Sequence, residues 1–153
     1  MGVRMSDDEA WAFLEQGHTG ILTTVRRDGR PVALPVWYVV LDREVYVGTP
    51  SGSQKVARIR RDPRAAFLVE AGERWAELRA VHLDGTVEVV DDAERCERVD
   101  AAVQEKYAAW QTPRRDMPAA SRRHYAGRTF LRFVPGGRPV SWDNRKLDVG
   151  GTR

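Results

Sequence analysis

The hydroxyls of Thr49, Ser51 and Ser53, the amide of Gln54 and the ammonium of Lys55 fall within one short stretch, TPSGSQK, and arginines follow at 58, 60, 61 and 64. A Gly/Ser/Pro loop that leaves a strand and enters a helix gathers hydroxyls, free backbone N–H groups and a helix N-terminus at one point, which are the parts of an anion site. Lys55 in the first turn adds a flexible cationic donor suited to phosphate, with Arg58 one turn further on. The same residues also read as an ordinary N-cap at Ser53 followed by a solvated basic face, and the stretch taken alone leaves both readings open.

Other chemistries find less support. The single cysteine, Cys96, excludes an internal disulfide and a multi-cysteine zinc site, and its helical spacing from apolar neighbours is that of a packed thiol. His18, His82 and His124 have no metal-ligand spacing, and no Ser/His/Asp or Cys/His set can be argued from chain order. No covalent nucleophile is assigned. The 25 Lys+Arg against 22 Asp+Glu give a net charge of +3 and a pI near 9.3. With no zinc finger, RNP-like motif or Arg/Gly tract beside it, that modest excess does not indicate a nucleic-acid partner.

The elements that must position the loop follow from length and pattern. At 153 residues, 42% hydrophobic and 31% charged, the chain is expected to form a single domain with its own core. No apolar run reaches the roughly 20 residues of a membrane span, and the opening MGVRM is too short for a signal peptide, so a cytoplasmic protein is expected. Ser6 and Glu9 form a capping box that starts a helix at about residues 7–16, with Ala10, Trp11, Phe13 and Leu14 on its buried face and Gly17 as terminator. A strand from Gly20, a turn at Asp28-Gly29, a second strand to about Leu41, a turn at Asp42-Arg43 and a third strand to Thr49 make an antiparallel meander. Pro35 lies inside the second strand and donates no ladder bond, which points to a sheet edge, a bulge or a docking place.

Ser53 caps a short helix that turns Val56 and Ile59 inward and ends at Asp62-Pro63. Strands follow in RAAFLVE, in AVHLDGTVEVV with a bend at Gly85, and in TFLRFVP. A helix is expected from Asp92 to Trp110, where the apolar positions Val99, Val103 and Tyr107 recur on one side. The segment from 136 to 153 is expected to trail off as a tail. About six antiparallel strands over residues 20–135 with peripheral helices describe a mainly β (α+β) chain folded as a small decorated barrel.

The order of these pieces resembles the split β-barrel flavin and deazaflavin oxidoreductases, the superfamily of pyridoxamine 5′-phosphate oxidase. The likeness runs over about residues 6–147, carried by GSQK with RRDPRAAFLV, by RAVHLDGTVEVV and by the terminal SWDNRKL, and it is strongest to the actinobacterial branch that uses the deazaflavin coenzyme F-420. The resemblance implies an FMN-binding-like split barrel and a homodimer with cofactor clefts between subunits. It implies that Ser53, Gln54 and Lys55 hold the cofactor phosphate with Thr49 lining the approach, and that Pro35, Val36 and Trp37 meet the ring system. It also brings Trp75 and Arg79 toward the ring and takes Trp142 and Arg145 toward the partner's cleft.

The FMN oxidases of that superfamily carry an Arg-x-Val-Leu pattern on the second strand, where this chain has Ala33-Leu34-Pro35-Val36, and their Ser-Arg-Lys loop is Ser53-Gln54-Lys55 here. Two phosphate-binding charges are therefore absent, which favours F-420 over FMN. Arg58 and Arg60, with Arg61 and Arg64, offer positive charge to the oligoglutamate tail of F-420. The activity implied is hydride transfer between reduced F-420 and a conjugated organic small molecule. The alternatives are an FMN-dependent reductase or oxidase of the same fold, or a non-catalytic flavin, deazaflavin or haem binding protein.

Overall fold

The computed structural model describes residues 2–124 and 127–147. Helix α1 (Asp7–Gln16) starts as expected: the Glu9 amide donates to Ser6 Oγ, the Ser6 amide donates to the Glu9 carboxylate, and three acidic residues occupy the first turn. It stops at Gly17, for a reason other than the left-handed cap a glycine usually supplies. Gly17 has φ −63°, and what requires a glycine is space, since a Cβ there would collide with Tyr38 Oη and Val69 Cγ1.

Strand β1 (Gly20–Val25) turns through Gly29, at φ +86°, into β2 (Pro31–Val36), and β3 (Tyr38–Leu41) turns through Asp42 and Arg43 into β4 (Glu44–Pro50). The single strand expected up to Leu41 is thus two strands broken at Trp37. Gly20 faces Val36 across the β1–β2 ladder, while Tyr38 faces Val47 across the β3–β4 ladder. The rest of the sheet comprises β5 (Arg64–Ala71), β6 (Arg79–Val89) and β7 (Arg128–Pro135), in the order β2-β1-β5-β6-β7-β4-β3 with every pair antiparallel. β2 and β3 are therefore the two ends of a curled sheet, and Trp37 is the link between them. Pro35 lies on the end strand β2, where its missing N–H costs no ladder bond.

The exposed edge of β3 is covered by α3 (Ala93–Tyr107), which is shorter than the helix expected to reach Trp110. The Tyr38 amide donates to Tyr107 Oη at 2.9 Å, and the Tyr38 carbonyl accepts from Lys106 Nζ at 3.0 Å. Polar groups that an edge strand would show to solvent or to another chain are satisfied by the last turn of a helix. Val99, Val103 and Tyr107 pack on Val39, Tyr46 and Phe130 to make a small outer core. The main core lies inside the curl, with Tyr38, Phe67, Leu83, Leu131 and Phe133 closed over by Leu14 of α1 and by Val56 and Ile59 of α2 (Gln54–Arg61). Each large apolar side chain buried this way contributes roughly 1.5–3 kcal/mol.

β6 changes neighbour at its bend. Residues Gly85 to Val89 pair with β7, and Arg79 to His82 pair with an eighth strand, β8 (Val140–Asp143). A Cβ at Gly85 would collide with the Val134 carbonyl, so the crossing of the two ladders requires a glycine. β8 and the 3-10 turn Asn144–Lys146 correct the expectation of a trailing tail as far as residue 147, and residues 148–153 lie outside the described part. The segment is held because the Asp143 amide donates to the Val3 carbonyl, the Met5 amide to Ser141 Oγ, and Lys146 Nζ to both Glu9 oxygens. Among the described residues the strands number eight in place of about six because one expected strand is two and the tail adds another. A fourth short helix, α4 (Ala119–His124), precedes β7. Among the described residues no helix is long and apolar enough to cross a membrane.

Candidate anion-binding site at the start of helix α2

β4 ends at Pro50, and the turn Pro50-Ser51-Gly52-Ser53 closes with the Ser53 amide donating to the Pro50 carbonyl at 3.0 Å. Two contacts from the chain before β7 and from β7 itself fix its outer side: the Ser51 amide donates to the Gly127 carbonyl at 2.9 Å, and Thr129 Oγ1 donates to Ser51 Oγ at 2.8 Å. Thr49, Pro50, Ser51, Gly52, Ser53, Lys55 and Gly127 line an open recess of about 630 Å³. Ser53 stands at the N-cap of α2, yet its hydroxyl makes no cap bond and accepts from Thr49 Oγ1 at 3.1 Å. The amides of the first turn thus receive nothing from the side chain that would ordinarily satisfy them, at the positive end of a helix whose Ser53 and Lys55 line the recess.

The electrostatics point the same way. Burial, with the neighbouring Arg58 second, holds the Lys55 ammonium below the usual lysine value. Arg58 is itself held below the usual arginine value by burial and by Arg26 and Arg61. Among the described residues no carboxylate forms an ion pair with Lys55, Arg26, Arg58 or Arg61. The nearby Asp62 is engaged with Arg64 at 2.7 Å, which holds its carboxyl at about 2. Asp62 also feels Arg61, so the counter-charge beside this cluster is partial, and like charges gathered in this way form a place that an anion stabilises.

The residues expected at the site fall into three groups. Thr49, Ser53 and Lys55 share the recess; Gln54 is exposed at the first position of α2, Arg58 turns onto β1 with Nε 3.0 Å from Thr24 Oγ1, and Arg60 is exposed. Pro35, Val36 and Trp37 form the link between the sheet's ends. There Val36 points into the core, and Trp37 is 38% exposed with its ring stacked on Tyr107 at 4.4 Å. Trp75, Arg79, Trp142 and Arg145 cluster around the first residues of β6: Arg79 lies over the Phe13 ring, Arg145 grips Asp143, and the Trp75 carbonyl accepts from Asn144 Nδ2. Arg79 Nε is buried with no hydrogen-bond partner among the described residues, and Trp75 and Trp142 are 62% and 37% exposed. This third group is at the opposite end of the β5–β6 ladder from α2, since α2 leads into Arg64, paired with Thr86, and the far rung is Ala71 with Arg79. At about 3.3 Å per residue those rungs are roughly 23 Å apart.

Residues the sequence did not single out join the first group. Gly127 completes the recess wall, and Thr24 and Arg26 at the end of β1 adjoin Arg58. The charge of Arg26 is plain in VRRDGR, but its nearness to α2 depends on the β1–β5 pairing that folds the hairpin beside the helix. No group of three His, Cys, Asp or Glu among the described residues could hold a metal ion.

A curled antiparallel sheet with its end strands joined at one residue, and a basic helix opening beside the fourth strand, is the split β-barrel of the pyridoxamine 5′-phosphate oxidase superfamily. The chain belongs to the pyridoxamine 5′-phosphate oxidase family, whose model matches residues 6–135. A curated relative is an F-420-dependent biliverdin reductase of Mycobacterium tuberculosis, 34% identical over 95 residues that make up 60% of this chain and 68% of the relative. Among solved structures, the conserved hypothetical protein Rv2991 of Mycobacterium tuberculosis superposes with a TM-score of 0.83 at 34% identity, over 99% of this chain and 93% of that one. An F-420 reductase superposes with a TM-score of 0.60 at 23% identity, over 88% of this chain and 95% of that one, which shows the shared fold.

Proposed function

We propose that this chain is an F-420-dependent oxidoreductase that binds the cofactor's phosphodiester in the Thr49–Lys55 recess and reduces a conjugated organic molecule. The observation that carries the reading is the opening of α2: an N-cap serine whose hydroxyl is turned to Thr49 and not to the first-turn amides, beside Lys55 and Arg58, which form no ion pair among the described residues. That chemistry fits a phosphodiester followed by a polyanionic tail, and Arg58, one turn beyond Lys55, is placed to meet such a tail, with Arg60 on the opposite side of α2. F-420, when bound, supplies two-electron hydride chemistry, which leaves binding, orientation and water exclusion to the protein.

Within that reading Ser53, Gln54 and Lys55 hold the phosphate through hydroxyl, amide and ammonium, and Pro35, Val36 and Trp37 supply an apolar surface for the ring system. Trp75, Arg79, Trp142 and Arg145 stand too far along the β5–β6 ladder to reach the same recess in one chain. A homodimer that sets one subunit's β8 end against the other's α2 unites the groups, with exposed Trp142 and Val140 on the joining face. Flat substrates suit a cleft lined by Trp and Val, and biliverdin is the first acceptor to try because the Mycobacterium tuberculosis relative is named for it.

The test is a fluorescence titration of the purified protein with F-420 and with FMN, followed by loss of reduced F-420 on addition of biliverdin and other conjugated acceptors. Micromolar or tighter F-420 binding with FMN much weaker, and acceptor-dependent oxidation, are expected. Tighter FMN binding returns the chain to an FMN-dependent reductase or oxidase. F-420 binding without transfer to any acceptor makes it a carrier.

A further inference from the structure

Of the cations around the recess, Arg58 has the most constrained geometry. Its Nε donates to Thr24 Oγ1 at 3.0 Å, and Thr24 is a polar residue only 2% exposed on β1, which is flanked by β2 and β5. β1 alternates buried and half-buried positions, so Thr24 projects to the covered side with Leu22, where an isosteric valine would satisfy packing alone. A hydroxyl there needs a polar partner, and the partner comes from α2. Among the described residues nothing else bonds the Arg58 guanidinium, so fixing Nε leaves both Nη groups to point elsewhere. The neighbouring Arg61 is tied less specifically, through Nη2 to the Val25 carbonyl at 3.3 Å, and Arg26 stands close by.

We propose that Thr24 is a positioning residue of the anion site, its buried hydroxyl holding Arg58 by Nε so that the two Nη groups present a fixed fork to the ligand's anionic groups. A guanidinium on a free side chain loses rotamer freedom when it grips an anion; one already fixed at Nε loses less, and its fork keeps one direction. Arg26 and Arg61 stand beside Arg58 and repel it, so the Nε bond to Thr24 also keeps Arg58 in place against that repulsion. The inference rests on the anion-site reading of the recess and adds to it a residue that touches no ligand.

Thr24→Val, Thr24→Ser, Arg58→Lys and the Thr24→Val/Arg58→Lys double variant would be titrated with F-420 and, separately, with inorganic pyrophosphate, with thermal melts alongside. Thr24→Val is expected to weaken F-420 binding about 3- to 10-fold, Thr24→Ser to restore it to within twofold, and the double variant to bind no worse than Arg58→Lys alone, because Lys lacks the Nε contact. A purely structural Thr24 would lower the melting temperature and give additive losses. Unchanged binding in Thr24→Val, or additivity in the double variant, overturns the role. If F-420 does not bind but pyrophosphate binding falls in Thr24→Val and recovers in Thr24→Ser, the coenzyme reading fails and the positioning role stands. If neither anion binds the parent protein, both fail.

Discussion

Replacing Lys55 by alanine separates the two readings of the α2 loop. Lys55 has no carboxylate partner among the described residues, so its removal strands no counter-charge, and it relieves the repulsion with Arg58 that helps to lower its pKa. Stability should therefore hold or rise slightly, and any loss should appear in binding. A charge-assisted hydrogen bond to a phosphate oxygen contributes about 1.5–3 kcal/mol. Because Lys55 is only half-buried, solvent screening brings this to about 1–2 kcal/mol, or roughly a 5- to 30-fold weaker Kd. The same contact sets a pH dependence. Burial, and then Arg58, depress the ammonium, so F-420 affinity should fall as pH rises through that lowered value, and Lys55→Ala should show a flatter profile. Quenching of F-420 fluorescence at two salt concentrations and across neutral to alkaline pH reads both effects. Affinity within twofold of the parent at low salt, with the pH dependence intact, would refute the phosphate role and leave the loop as a capped helix with a basic face.

Three further outcomes follow from the geometry. Gly85→Ala drives a Cβ into the Val134 carbonyl where β6 passes from β7 to β8, and should cost about 1–3 kcal/mol, a fall of roughly 3–10 °C in Tm by calorimetry; an unchanged Tm would show that the bend tolerates a side chain. Burial pushes Lys106 down to about 8 against the smaller opposing pull of Glu15, so between that pH and the ordinary lysine range the unfolded chain holds a proton the folded chain has lost. Stability from this group should climb with pH through that window, and Lys106→Met should flatten the climb in melts from pH 7.5 to 10; parallel curves would mean Lys106 titrates normally. On the two-subunit reading, Trp142→Glu places a charge on the joining face and should sediment as a monomer with weakened F-420 binding, and a variant that remains dimeric would remove β8 from the interface.

What could be read in the sequence is what neighbouring residues decide between themselves. Ser6 with Glu9, Asp28-Gly29 and Val56 with Ile59 fold as their local patterns indicate, because the partners of each bond or turn lie within a few residues. Pro35 flagged a disturbance in LPVWYVVL but not where the strand breaks, because the break at Trp37 is held by Lys106 and Tyr107, which reach Tyr38 from 68 and 69 residues away. β8 escaped notice for a similar reason: four residues after a Gly-Gly-Arg-Pro turn carry too short an alternation, and their order comes from Val3, Met5 and Glu9 at the other end of the chain.

The candidate site divides along the same line. That Ser53 stands at a helix start is local; that its hydroxyl is taken by Thr49 in place of the helix amides is set by the path of β4 into the turn. The run of arginines gives the charge without its direction, and a helix separates Arg58 from Arg60 by about 200°, so one binds Thr24 while the other is exposed. Elsewhere on the surface several cations do find carboxylates. Asp8 meets Arg43, Asp42 meets Arg95, Asp100 meets Arg128, Glu88 meets Arg132, Asp143 meets Arg145 and Glu9 meets Lys146. With 22 acidic residues for 25 basic ones, the chain has enough carboxylates to neutralise most of its cations. Lys55, Arg26, Arg58 and Arg61 nonetheless form no ion pair with a carboxylate among the described residues, and Asp62, which feels Arg61, is engaged by Arg64. The small overall excess of charge is thus concentrated beside α2, and on the anion-site reading the counter-charge that completes it is a ligand's.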